Sequence, residues 1–286
     1  MEINGNEQLF RYGNNRWVTC DDVRAALRSV HADECKVLFL HTELSFGILN
    51  PQIKRKQLCE ILFELIMELG VETVVFPTFT FSYGNHEDFD VRTTPSKMGL
   101  LNEYARKRPE AMRSVDPMMS VVVFGKNKEL LNVTGIKSLG EGSIFDNLHK
   151  TEGVRFLFLG TRLGMCGTHM HYVEEALRVP YRYDMDFYGK VTDYNGNTTE
   201  DHRILYVKYR DILPSVPLSF EEGLVAEGKL EYCPLGATYV FSITEKNMYS
   251  ACAQAMTENV NAFLAEPYDT HPPVKDYHYG NVTTVQ

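Results

Sequence analysis

The sequence is poor in the features that would place a protein outside the ordinary globular class. It holds one tryptophan and six cysteines, and no two cysteines form a CxxC pair. That spacing excludes a zinc ribbon and a thioredoxin-type redox site. Cys20, Cys35, Cys59, Cys166, Cys233 and Cys252 are scattered along the chain and are expected to be buried, reduced thiols. Positive charge is also scarce: 29 basic residues face 38 acidic ones, for a net charge of −9. Nucleic acid demands a concentrated basic face, so no such partner is expected. A small anionic ligand needs only a few local donors and remains compatible. No apolar run reaches the roughly 18–20 residues of a membrane span. The opening MEINGNEQLFRYG lacks the apolar region of a signal peptide, so a cytoplasmic protein without a membrane partner is expected. Internal repeats, low-complexity tracts and a Pro/Gly/Ser-rich linker are missing as well.

What is present is an ordinary globular composition, 44% hydrophobic and 23% charged over 286 residues, enough for a sizeable core. Thr19, Asp21 and Asp22 ahead of VRAALRSV signal a helix N-terminus in residues 19–30. The apolar runs 37–40, 73–76, 121–125 and 154–160 suit strands buried on both faces. Residues 51–69 carry a helical apolar period, with Pro51 expected at the helix start and Gly70 just past its end. Residues 37–76 thus read strand, loop, helix, strand, a crossover unit of an α/β fold. Shorter helices are expected over 100–108 and 168–178. After about residue 180, alternation, an Asn-Gly turn and many tyrosines suggest antiparallel strands joined by a hairpin. Residues 245–265 return to a helical pattern, and the tail 266–286 is expected to drape over the surface or a partner. The expectation is one domain over 1–286: an α/β core about 19–178, an antiparallel elaboration about 179–265, and the tail. The central sheet is expected to be mixed and flanked by helices.

The common phosphate and hydrolase signatures are missing: no GxxxxGK[ST], no GxGxxG after the first strand, no GxSxG and no HExxH. His169 and His171 differ by two positions and fall on different faces of a helix, which makes them poor ligands for a shared metal. No metal is expected. Three polar loops follow buried strands, where open α/β sheets place ligands. They are His41 to Gly47, Pro77 to Phe81, and GTRLGMCGTHMH over 160–171. A hydroxyl-rich turn can offer free backbone N–H groups to a phosphate; equally, Thr42 and Ser45 can simply cap a following helix. Glu174 and Glu175 lie three and four residues beyond His171, within reach of its imidazole on a helix. A carboxylate on one ring nitrogen fixes the tautomer and leaves the other basic, which is the requirement for a general base.

These pieces together resemble the aminoglycoside 3-N-acetyltransferase family. The carrying segments are LFLHTELSFG, VVFPTFTF, FDVRTTPSKMGLLNEYARKRPEAMRSVDPMMS, GEGSIFDNLHKTEGVRFLFLG and GTHMHYVEE, over roughly residues 20–265. The most specific stretch is the ordered series TPSxMG, ExxR and RSxxPxxS. The resemblance implies a single α/β domain distinct from GNAT acetyltransferases, with acetyl-CoA as co-substrate. It implies cofactor contacts at His41, Thr42, Ser45 and Phe46, then at Thr78 and Phe79 of the second loop, and at Arg113, Ser114 and Ser120. In the Thr-x-x-His-x-x-Glu segment it implies catalysis by Thr168, His171 and Glu174, in a ternary complex without a covalent intermediate. Thr168 or Ser120 is a candidate donor to the developing oxyanion. A Cys166 nucleophile is the covalent alternative.

One position departs from the antibiotic-modifying pattern RSxHPxxS: Asp116 stands before Pro117. That departure shifts the expected acceptor toward an amino sugar, nucleotide-linked and destined for surface polysaccharide. Asp116, Glu175, Asp184 and Asp186 are expected to meet it, since carboxylates accept from hydroxyl and ammonium groups. An aminoglycoside acceptor is the alternative, and a catalytically silent CoA-binding protein a second. A homodimer is left open.

Overall fold

The computed structural model describes residues 3–277. A hairpin of β1 (Gln8–Tyr12) and β2 (Arg16–Thr19) leads directly into α1 (Cys20–Ser29). Thr19 caps that helix as its sequence promised, its hydroxyl accepting from Asp22 N–H while the Asp22 carboxylate accepts from Thr19 N–H. β3 (Val37–Thr42), the short β4 (Ile48–Leu49), α2 (Arg55–Met67) and β5 (Thr73–Pro77) follow. The β3–α2–β5 crossover forms as expected, with β3 and β5 parallel neighbours. Pro51 is not at the helix start: Asn50 Oδ1 accepts from Gln52 N–H, and this side-chain turn delays the helix to Arg55.

Next come β6 (Phe89–Asp90), α3 (Leu100–Arg106), β7 (Met112–Arg113), β8 (Val121–Gly125), α4 (Ile144–Lys150) and β9 (Val154–Leu159). A single-turn α5 (Leu163–Cys166) precedes α6 (His169–Ala176). The tyrosine-rich segment is a long hairpin of β10 (Arg182–Thr192) and β11 (Thr198–Lys208), in register from Arg182↔Lys208 to Thr192↔Thr198. α7 (Leu218–Ala226), β12 (Leu230–Leu235), β13 (Thr238–Thr244) and α8 (Glu245–Glu258) complete the α-helices and strands of the described residues. α8 ends earlier than the pattern over 245–265 suggested. Residues 278–286 of the expected tail lie outside the described residues.

The main sheet has strand order β12-β13-β9-β3-β5-β8-β7. Its centre, β9-β3-β5, is parallel, while β13 and β8 run antiparallel on either flank. Strand alternation divides its two faces by side-chain type. Val37, Phe39, Phe156 and Phe158 join one core beneath α4, α6, α8 and the β10–β11 ribbon. Leu38, Leu40, Leu157 and Leu159 join the other, against α1, α2 and α3. The aromatic face is the one that carries the site, because α6 lies on it and follows directly from the C-terminal end of β9.

Gly160 ends β9 with φ +80, and a Cβ there would sit 1.9 Å from the Glu43 carbonyl oxygen. The close approach holds the loop after β3 against the loop after β9, helped by Glu43 N–H donating to Leu159 O at 2.9 Å. Gly160→Ala combines a positive φ with a backbone clash, and is expected to lower unfolding free energy by about 2 kcal/mol or more. Urea unfolding of the variant measures this; a change under about 0.5 kcal/mol, the range of a neutral surface substitution, would contradict the packing described.

Candidate active site

The site is organised around Glu174, a carboxylate in the second turn of α6 that is only 4% exposed. Its Oε2 lies 2.6 Å from His171 Nδ1, one helical turn back. Its Oε1 accepts from Tyr181 Oη at 3.0 Å. Arg182, the first residue of β10, brings a guanidinium to the same place. Arg182 Nε stands 2.8 Å from Glu174 Oε2 without its N–H aimed at that oxygen, so the contact is ionic rather than a hydrogen bond. Its Nη1 donates to Tyr206 O at 3.1 Å, and its Nη2 lies 2.9 Å from His171 Nδ1.

Nδ1 cannot donate to Glu174 and accept from Arg182 at once. The 2.6 Å contact with a carboxylate has the length of a charge-assisted bond, which assigns the proton to Nδ1. Arg182 then serves to neutralise Glu174. Burial alone would raise the Glu174 carboxyl, but the Arg182 charge and the contacts with His171 and Tyr181 outweigh it and hold the carboxyl down at about 2. Tyr181 is buried and pushed well above the usual phenol range, first by burial and then by Glu174 itself, so it stays a donor. Among the described residues nothing hydrogen-bonds His171 Nε2, and the His171 side chain is 40% exposed. A basic nitrogen thus faces outward from a ring whose other edge is locked.

Thr168, just ahead of α6, is partly buried; its hydroxyl donates to Cys166 O over a long 3.3 Å. Cys166 does not suit the covalent alternative: burial pushes its thiol up to about 12, so the nucleophilic thiolate is essentially not populated.

The residues expected to hold the cofactor divide sharply. Thr42, the last residue of β3, is half-buried, and Ser45, on the loop that follows, is exposed. Thr42 Oγ1 donates to Asn102 Oδ1 at 2.7 Å and Ser45 Oγ to Gly160 O at 2.9 Å, so neither caps a following helix. The N–H groups of Leu44 and Ser45 have no acceptor among the described residues, which leaves two adjacent donors on the loop that follows β3. The other seven are interior. His41 stacks on Phe158 with ring centroids 5.1 Å apart, and burial pushes its imidazole down to about 3. Phe46 packs on Phe10, and Phe79 belongs to the aromatic core.

Arg113, Ser114, Thr78 and Ser120 are also buried. Arg113 Nε donates to Thr78 Oγ1 and Ser120 Oγ, Nη2 to Thr78 O at 2.8 Å, and Nη1 to Thr94 O at 2.6 Å. No carboxylate hydrogen-bonds this guanidinium among the described residues, and burial pushes it down to about 9. The RSxxPxxS motif therefore ties three chain segments into one wall instead of presenting side chains to a cofactor. Ser120 Oγ is spent on Thr78 O at 2.8 Å, which removes it as an oxyanion donor. In the companion motif, Glu103 accepts from Arg106 and from Ser96 N–H. TPSxMG and ExxR are scaffold in the same sense.

The acceptor-side carboxylates need similar correction. Asp116 is fully buried; its Oδ1 accepts from Met118 N–H, Met119 N–H and the Ser138 hydroxyl. It holds a turn and does not reach a cleft. Glu175 is 5% exposed and paired with Lys137 at 2.8 Å. Asp184 and Asp186 are exposed on the face of β10 that starts with Arg182, each already matched: Asp184 with Arg178 at 2.9 Å, Asp186 with His202 at 2.7 Å. Sequence reasoning missed Arg182, Tyr181 and Lys137. Their contacts cross a turn or come from distant segments, where no helical or strand period signals them.

A family model described as aminoglycoside 3-N-acetyltransferase matches residues 50–256. No curated protein matches the chain by sequence. The solved structure of the YokD protein from Bacillus subtilis is 18% identical with a TM-score of 0.68, covering 88% of this chain and 95% of that one. AAC-IIIb, in a binary complex with CoASH, is 17% identical with a TM-score of 0.66, covering 87% and 98%. AAC-VIa, bound to sisomicin, is 14% identical with a TM-score of 0.65, covering 82% and 96%. The fold is that of these proteins and not the GNAT fold. No described helix is long and apolar enough to cross a membrane.

A carboxyl held below its ordinary value stabilises the fold fully above that value and loses the contribution as pH falls through the folded one. Glu174→Gln should therefore be less stable than the native chain near neutral pH, with the gap closing as pH falls from about 5 toward about 2. Urea unfolding at a series of pH values reads the gap. A gap constant across that range would mean that Glu174 is not held ionised by its neighbours.

Proposed function

We propose, since the chain belongs to the aminoglycoside 3-N-acetyltransferase family, that it moves the acetyl group of acetyl-CoA to an amine of an aminated sugar, with His171 as general base. The chain is an N-acetyltransferase, and acetyl-CoA is its co-substrate. The observation that carries the proposal is the 2.6 Å contact of His171 Nδ1 with a buried, ionised Glu174. It leaves Nε2 with a lone pair on a half-exposed ring. That nitrogen takes the proton the amine loses as its nitrogen bonds to the thioester carbonyl, and can return it to the departing sulfur. Glu174 stabilises the imidazolium that forms, and Tyr181 and Arg182 prevent Glu174 from turning away.

The co-substrate supplies the thioester and an anionic pyrophosphate. The free N–H groups of Leu44 and Ser45 suit the pyrophosphate, because oriented backbone donors bind phosphate without net positive charge. Thr42 and Ser45 flank them. Thr168 is the remaining hydroxyl for the oxyanion, its present 3.3 Å bond being weak enough to give up.

For the acceptor, the family description and a neighbour that binds sisomicin support an aminoglycoside-type amino sugar over the nucleotide-linked polysaccharide precursor. One observation favours the second reading. Glu175 and Asp184 are matched by Lys137 and Arg178, and Asp186 by a contact with His202, so the rim carries little of the surplus negative charge that a polycationic drug rewards. An acceptor with a single ammonium group fits that rim.

His171→Ala is expected to keep CoA binding within about threefold while turnover falls by roughly 10²–10⁴, the usual contribution of a positioned base. Isothermal titration with CoA and a thiol-release assay measure the two. Turnover within tenfold of the native enzyme would overturn the base assignment. Acetyl transfer to sisomicin, to glucosamine and to an aminated nucleotide sugar separates the acceptors. Turnover confined to the nucleotide sugar selects the second reading; no turnover with any amine, despite CoA binding, selects a silent binding protein.

A further inference from the structure

Behind the catalytic helix, three helices aim ligand-type side chains at a single point. His149 comes from the last turn of α4, His169 from the first residue of α6, and Glu245 from the first residue of α8. His149 Nδ1 is 2.7 Å and His169 Nε2 2.8 Å from the same oxygen, Glu245 Oε1. The ligand atoms of all three lie within 4.8 Å of one another. His169 and Glu245 are buried, whereas the His149 side chain is 34% exposed and opens the cluster to solvent. Among the described residues no lysine or arginine pairs with Glu245. The helix face that separates His169 from His171 thus turns His169 toward a different set of partners.

We propose that His149, His169 and Glu245 form a binding site for a divalent transition-metal ion of the zinc type, separate from the transfer site. Two imidazoles and a carboxylate are a recognised donor set for zinc, leaving a fourth position for water. Zinc bonds of about 2.0–2.2 Å to such ligands set neighbouring donors roughly 3.3 Å apart. The present 2.7 and 2.8 Å separations are hydrogen-bond lengths, so each must open by about half an ångström on loading.

His169 Nδ1 is buried without a partner. The outer acceptor that a tight zinc site provides is therefore lacking, which places the affinity about 10- to 100-fold below such sites. The consequence of loading is mechanical. An ion here ties α4 and α8 to the first turn of α6, two residues from His171, and stiffens the helix that carries the base.

The test uses the full chain, stripped with chelator and titrated with cobalt(II) and then zinc(II). One equivalent of cobalt is expected to bind with visible d–d absorption and to be displaced by zinc. His149→Ala and Glu245→Gln are expected to weaken binding by at least about tenfold, while His86→Ala, at an exposed histidine elsewhere, leaves it unchanged. His149 lies at the surface, so its variant carries the test if Glu245→Gln fails to fold. Absence of a bound equivalent in the native chain, or unchanged affinity in His149→Ala, would overturn the site. None of these readouts depends on acetyl transfer.

Discussion

The Glu174 carboxylate is the constraint on which the site depends. A buried carboxylate is costly unless charge and hydrogen bonds compensate it, and here three partners do so: His171, Tyr181 and Arg182. Two of them arrive only after the chain has left α6: Tyr181 at the end of the turn and Arg182 as the first residue of β10. The ribbon is therefore joined to the helix through the same group that orients His171. Movement of β10 relative to α6 would cost Glu174 the Arg182 charge, so the placement of the ribbon and the orientation of His171 are coupled.

A second buried charge plays the complementary structural part. Arg113 is held by hydroxyl and carbonyl oxygens from the loops after β5 and β6 and from the start of β8. Among the described residues no carboxylate hydrogen-bonds its cation, and its ring neighbour is Phe89 at 4.9 Å. Polar networks of this kind specify one arrangement because each partner left unmade costs a full desolvation penalty. With Glu103 and Arg106 nearby, they make the longest family motif a wall of the cleft. The motif's length reflects how many segments must be bound at once, while the proposed base lies elsewhere, on α6.

How much was legible follows from where each interaction lies along the chain. The capping box at Thr19 and Asp22 and the pair of His171 with Glu174 are local, at three-residue spacing, and were read directly. The buried strands β3, β5, β8 and β9 announced themselves as apolar runs. Asp116, Ser120 and Arg113 were misread because residue type alone cannot distinguish a polar group facing a cleft from one satisfied inside. Burial decides that, and burial is a property of the assembled faces. Lys137 and Glu175 are separated by 38 residues, so their pairing left no periodic trace.

By itself the sequence carried the family, the β3–α2–β5 crossover, and the pairing of His171 with Glu174. Those depend on local spacing, apolar periodicity and ordered motifs, all written along one dimension. Tertiary structure decided which polar residues are free to act. It left Ser45 exposed and Thr42 and His171 half-buried, sealed His41 and Asp116 inside, and recruited Arg182 and Tyr181 to Glu174. It also turned His169 away from His171 and toward His149 and Glu245. The reason is physical: exposure and charge compensation are set by which surfaces come together, and that information exists only after the two faces of the sheet have been covered.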